Sequence, residues 1–220
     1  MFDLTAEEIR VLGCLIEKER TTPDQYPLTV NSLRLACNQS TNRDPVVDYD
    51  DTTVRQALQQ LKERGWARTT SASMNDRVPK YKQLLGEALQ LTVPQISILA
   101  VLMLRGPQTP GELKQRTERL SAFPDIAAVH VELDDLIQQG LVENLGRRPG
   151  QKEDRYRHLF DGRNELPSVA AANGDTGEPA AAAAPATPAE PDRLAAIEAE
   201  LAEIKRELAE LRSRLAGDDN

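Results

Sequence analysis

Aromatic side chains are scarce in this chain: one Trp, four Tyr and three Phe in 220 residues. Any core must therefore be built from Leu, Val, Ile and Ala. Cysteine is nearly absent too. Cys14 and Cys37 cannot form a disulfide framework, and both sit at apolar positions of helical periodicity, as small core residues do. Only two histidines occur, His130 and His158. No Cys or His pair has metal-ligand spacing, no glycine-rich loop follows a strand, and no serine stands in a nucleophile elbow. Asp134 and Asp135 are adjacent on a predicted helix, so they point in different directions and read as a solvated acidic face. The expectation is a protein that is not an enzyme and holds no cofactor or metal. No apolar run approaches the roughly 18 residues of a membrane span. Met1-Phe2-Asp3-Leu4 has neither the basic start nor the apolar segment of a signal peptide. A cytoplasmic protein with no membrane partner is expected.

The formal net charge of −8 is unevenly placed. Residues 1–160 carry 21 basic and 22 acidic groups, whereas residues 161–220 carry 6 and 13. The acidity belongs to the tail and does not exclude nucleic-acid binding by the body, since local patches attract phosphate. Composition divides the chain further. Residues 161–191 are rich in Ala and Pro and read as a flexible linker. Residues 192–216 return to strong helical periodicity.

The body contains an internal repeat. Leu4-Thr5-Ala6-Glu7-Glu8-Ile9 is matched by Leu91-Thr92-Val93-Pro94-Gln95-Ile96, each with a Thr N-cap and a Glu or Gln three residues on, the pattern of a capping box. Thr29-Val30-Asn31-Ser32-Leu33 and Thr109-Pro110-Gly111-Glu112-Leu113 then open a second, shorter helix. In the third helix Val54, Leu58, Leu61 and Gly65 correspond to Val129, Leu133, Leu136 and Gly140 at a constant offset of 75. The apolar positions form a buried stripe and the Gly stops the helix. Two strands follow in each copy, 66–70 with 80–84 and 141–145 with 155–159. Tyr81 and Tyr156, and Leu84 and Leu159, keep the same offset. Three helices and a β-hairpin make a winged helix. The expected fold is mainly α with small β-hairpins: a first winged-helix module over 1–88, a second over 89–160, the linker, and a C-terminal coiled-coil helix.

Several stretches resemble the bacterial YceH family: Leu35-Ala36-Cys37-Asn38-Gln39-Ser40-Thr41-Asn42-Arg43-Asp44-Pro45-Val46, Arg77-Val78-Pro79-Lys80-Tyr81, Leu104-Arg105-Gly106-Pro107-Gln108-Thr109-Pro110-Gly111-Glu112-Leu113 and Arg155-Tyr156-Arg157-His158-Leu159-Phe160. The resemblance covers roughly residues 3–160. It implies two winged helices and assigns no activity.

The third helix of the first copy is the natural DNA-reading element. With Val54, Ala57, Leu58 and Leu61 buried, Thr52, Gln56, Gln59 and Glu63 face outward, with Thr53, Arg55 and Gln60 nearby. Thr, Gln and Arg suit base edges and phosphates, although Glu63 would repel a polyanion and such residues also serve as plain solvent-facing groups. Between Arg64 and Lys82 lie five basic residues (Arg64, Arg68, Arg77, Lys80, Lys82) and one acid, Asp76. Such a hairpin can track a phosphate backbone. The corresponding helix of the second copy shows Ala127, Val131, Asp134 and Gln138, with Asp135 beside them, a face better suited to protein than to DNA. Its hairpin holds Arg147, Arg148, Lys152, Arg155 and Arg157. In the long loop 38–50, Asp44 and Pro45 read as a self-capping turn, while Asn42 and Arg43 are possible additional contact residues.

In the tail Leu194, Ile197, Leu201, Ile204, Leu208, Leu211 and Leu215 alternate at spacings of 3 and 4, a heptad seam. Leu at a with Ile at d shifts preference from dimers toward three or four strands, and parallel pairing sets Glu200 against Lys205. The alternative is a helix that packs on its own body. Together these features point to duplex DNA as partner of the first module, as for a transcriptional regulator, with self-association through the second module and the tail. The rival reading is a protein-interaction subunit resembling the tandem winged-helix accessory subunits of chromosome-organising complexes.

Overall fold

A computed structural model describes residues 2–70, 78–147 and 150–162. The linker and the heptad seam at Leu194–Leu215 lie outside the described residues. In the first half α1 (Ala6–Thr21) leads through a single 3-10 turn (Pro23–Gln25) to β1 (Leu28–Thr29), α2 (Val30–Cys37) and α3 (Asp51–Glu63). The hairpin β2 (Ala67–Thr70) and β3 (Lys80–Gln83) follows, and then the one-turn α4 (Leu85–Ala88). The second half repeats the order with α5 (Val93–Arg105), α6 (Pro110–Thr117), α7 (Ile126–Gln138), β4 (Val142–Asn144) and β5 (Tyr156–His158). The described chain is thus mixed helical with small antiparallel sheets.

Local chemistry starts these helices where the sequence indicates. Thr5, Thr92 and Thr109 each accept from the backbone N–H three residues on, and Glu8, Gln95 and Glu112 return the bond, completing three capping boxes. Gly65 and Gly140, at φ of 75° and 69°, take the left-handed turn that ends α3 and α7. The expected stripes are buried: Val54, Leu58 and Leu61 in α3, and Val129, Leu133 and Leu136 in α7.

One strand was not foreseen. β1 pairs antiparallel with β3, Leu28 opposite Tyr81, giving the sheet order β1-β3-β2. In the second half a single bridge, Gln108 with Tyr156, stands at the matching edge of the β4–β5 pair. Leu28-Thr29 is too short to register as a strand by periodicity, and only the free edge of β3 gives it a partner.

The two halves share one core. α1 and α5 lie side by side, and the absent side chain of Gly13 leaves space that a Cβ would fill to 3.0 Å from Leu104 and 3.2 Å from Met103. Phe160, at the end of the second half, stacks on Phe2 with centroids 4.9 Å apart and meets Trp66 edge-on at 5.7 Å. Two backbone bonds cross the same seam, Leu4 N–H to Phe160 O at 2.8 Å and Asp44 N–H to Leu104 O at 2.8 Å. Cys14 and Cys37 are free and fully buried, as expected of small core residues.

Candidate functional site

α3 packs its apolar stripe against α1 and α2 and leaves Thr52, Arg55, Gln56, Gln59 and Gln60 exposed; Thr53 is half-buried. The first turn of this helix is acidic. The Asp50 carboxylate accepts from Thr53 N–H at 2.7 Å, and this bond to the backbone holds its carboxyl below the usual range. Asp51 pairs with Arg34 at 2.9 Å and stands 4.0 Å from Arg55. Gln59 donates to Glu63 at 2.8 Å. The outward face therefore mixes amides and a guanidinium with carboxylates, concentrated at the helix start. Thr52, Arg55 and Gln56 form the part of it nearest to what base-edge contact requires.

Beside α3, β2 presents Arg68 exposed, and β3 holds Lys80 and Lys82 half-buried. Lys82 lies 3.7 Å from Glu87 of α4. Arg77 lies outside the described residues. The second hairpin is basic in composition, but three of its arginines are paired with carboxylates. Arg147 is 3.0 Å from Asp154, Arg155 is 3.3 Å from Glu112, and Arg157 pairs with Glu143. Lys152 is exposed, and Arg148 lies outside the described residues. A charge count along the chain cannot see this, because Glu112 lies more than forty residues from its partner. On α7 the outward face carries Val131 at 61% exposure and Ile126 at 44%, together with exposed Ala127, Asp134, Asp135 and Gln138.

The loop between α2 and α3 corrects one expectation. Arg43, read as a possible surface contact, is a buried anchor whose side chain has no solvent exposure. It pairs with Glu17 at 2.6 Å and donates to the Ala36 carbonyl at 3.1 Å. Burial raises the Glu17 carboxyl, but the bonds and charge of Arg43 outweigh it and hold the group below its usual range. A guanidinium with five fixed donors is suited to tying a loop to two elements at once. Asn42, at φ 62°, remains exposed and accepts from Arg105. Arg10, missed in the sequence, works with Arg43: it is buried on α1 and donates to the Cys37 carbonyl at 3.0 Å and to that of Pro45. Its neighbours in sequence are apolar, and nothing local marks it as a loop anchor. Asn38 closes the other end of the loop, exchanging bonds with Tyr49 N–H at 2.9 Å and Tyr49 O at 2.8 Å.

Among the described residues no helix is long and apolar enough to cross a membrane, and no cluster of His, Cys, Asp and Glu is placed to hold a metal ion.

These features define a class: two copies of a three-helix unit, each with a small antiparallel hairpin, fused through their first helices. Residues 4–151 match the family described as "Protein of unknown function, DUF480", and the chain belongs to that family. A UPF0502 protein of Geotalea uraniireducens is 47% identical over 197 residues, which cover 89% of this chain and 87% of that protein. One of Pseudomonas aeruginosa is 44% identical over 187 residues, 85% and 83% of the two chains. One of Xanthomonas campestris is 48% identical over 169 residues, 77% and 75%.

Proposed function

We propose that each half is a winged helix and that the protein binds duplex DNA through the first one, as a transcriptional regulator would. The observation that carries this reading is the exposed α3 face with Thr52, Arg55 and Gln56, set beside a hairpin that bears Arg68, Lys80 and Lys82. A helix in the major groove and a basic hairpin along the backbone divide the work: the first reads bases, the second neutralises phosphates. The carboxylates of Asp50 and Asp51 repel phosphate, so Arg55 and Gln56, one turn further in, would meet the bases more readily than Thr52 at the tip. The second half contributes assembly through the apolar and acidic α7 face, with the 194–215 seam as a second association element in the cytoplasm.

The same acidic tip and the exposed Val131 and Ile126 favour a second reading, a protein-interaction subunit. Fluorescence anisotropy of the full chain with mixed duplex fragments at several salt concentrations separates the two. Duplex binding should weaken with salt, and Arg68→Gln with Lys82→Gln should flatten the slope of log K against log salt by about 0.9 for each lost contact. Binding that does not depend on salt, or a slope untouched by both changes, leaves the protein-interaction reading.

A further inference from the structure

Two of the stretches singled out in the sequence, Asn42-Arg43 and Leu104-Arg105 through Leu113, meet across the seam between the halves. They border a cleft of about 410 Å³ that neither the α3 face nor the α7 face explains. Val101, Leu104 and Leu120 line it with apolar surface, and Arg105, Arg116 and Arg119 stand around it. Three guanidiniums at one cleft is an unusual concentration of like charge in a chain of net charge −8.

The carboxylates nearby leave two of the three unmatched. Glu17 also borders the cleft, but it is occupied by Arg43 at 2.6 Å and Lys18 at 3.2 Å. Glu112 stands 3.6 Å from Arg116 and is shared with Arg155 at 3.3 Å. Arg105 donates to the neutral Asn42 side chain, and among the described residues neither Arg105 nor Arg119 has a carboxylate within ion-pair distance. Burial and the charge of Arg116 push the Arg105 guanidinium below its usual range, the reverse of Arg43, which its carboxylate partner raises. A guanidinium in that position gains most from an added anion. The cleft thus has unspent positive charge at its edge and apolar carbon beneath.

We propose that this cleft binds a small amphipathic anion, an apolar body carrying a carboxylate or phosphate group, with the headgroup on Arg105 and Arg119 and the body on Val101, Leu104 and Leu120. A planar guanidinium meets either headgroup through two parallel N–H bonds, and the apolar floor removes the attached carbon chain from water. One wall of the site is Asn42, in the loop that leads into α3.

Isothermal titration calorimetry on the full chain tests this with hexyl phosphate and hexanoate, against inorganic phosphate and 1-hexanol. At least one of the two amphiphilic anions should bind saturably at one per chain. Inorganic phosphate and hexanol should each bind about tenfold weaker or more, since each lacks one half of the interaction. Arg105→Gln should lower the affinity by about tenfold, the scale of one charge-assisted bond. Arg119→Gln, at an exposed side chain with no bond among the described residues, should also weaken binding while leaving the unfolding midpoint in place. Arg147→Gln on the second hairpin should change nothing. Absence of saturable binding by both amphiphilic anions, equal binding of inorganic phosphate, or indifference to both cleft substitutions overturns the proposal. The preferred headgroup decides between phosphate and carboxylate.

Discussion

His158 shows how one side chain can carry the pH response of a seam. It lies on β5, 6.1 Å from the Phe160 ring, and its Nδ1 accepts from Phe160 N–H at 3.3 Å, so the neutral ring is the form the fold requires. Burial, aided by the Arg157 charge and opposed by Asp161, lowers its pKa from 6.5 to about 4. Above pH 6.5 the ring is neutral in folded and unfolded chains alike, and the group adds no pH dependence. Between 6.5 and 4 the unfolded chain takes up a proton that the folded chain refuses, so stability falls as pH drops through this window. The urea midpoint should decline on acidification from pH 7 to pH 4, and His158→Gln, neutral throughout, should decline less over that range. Parallel curves for the two proteins would remove His158 from the account. Arg43 illustrates the opposite residue-scale outcome: its type suggested a surface, but a charge with matched partners is retained inside, where removing one partner would strand the other.

At the scale of elements, the close approach of α1 and α5 is the feature on which the rest depends. Glycine at position 13 is required by space rather than by backbone conformation, because a Cβ there already presses on Leu104 and Met103. Gly13→Val should force the helices apart and cost about 1–3 kcal/mol, the usual penalty of overpacking, read as a lower urea midpoint. A midpoint equal to that of the parent would show that the Leu104 side chain turns aside freely. The sequence carries the pattern of these helices well, through Thr caps, terminal glycines and apolar stripes that are short-range signals. It carries their contact poorly. A glycine amid apolar helical residues has no local signature of the neighbour it admits, and the helix it meets lies some ninety residues away. Separation along the chain also hid the pairing of Arg155 with Glu112 and the cleft around Arg105, whose charge at the end of an apolar helix reads as ordinary C-terminal dipole compensation.

For the whole molecule, one core predicts one transition. Trp66, the single tryptophan, belongs to the first half but contacts Phe160 of the second. Thr92→Ala removes the N-cap of α5 and should cost about 1 kcal/mol. Its effect should reach Trp66 fluorescence at the same urea concentration as far-UV circular dichroism, although Thr92 and Trp66 lie in different halves. Separate midpoints by the two probes would mean that the halves unfold independently. A fused pair also holds α3 and α7 at one mutual orientation, so any surface that engages both must match that geometry.

Sequence by itself determined the repeat, the Thr-capped starts of α1, α2, α5 and α6, the glycine stops of α3 and α7, and the buried stripes and outward residues of those two helices. All of these follow from hydrogen bonds and burial within a few turns of the chain, where spacing in sequence is spacing in space. Only the tertiary structure decided which charges remain available. It turned Arg43 inward to Glu17, matched Arg147, Arg155 and Arg157 with Asp154, Glu112 and Glu143, and left Arg105 and Arg119 around a cleft between the halves. The physical reason is that an ion pair depends on the distance between side chains after folding, and that distance is set by how helices, loops and hairpins pack on one another, not by position along the chain.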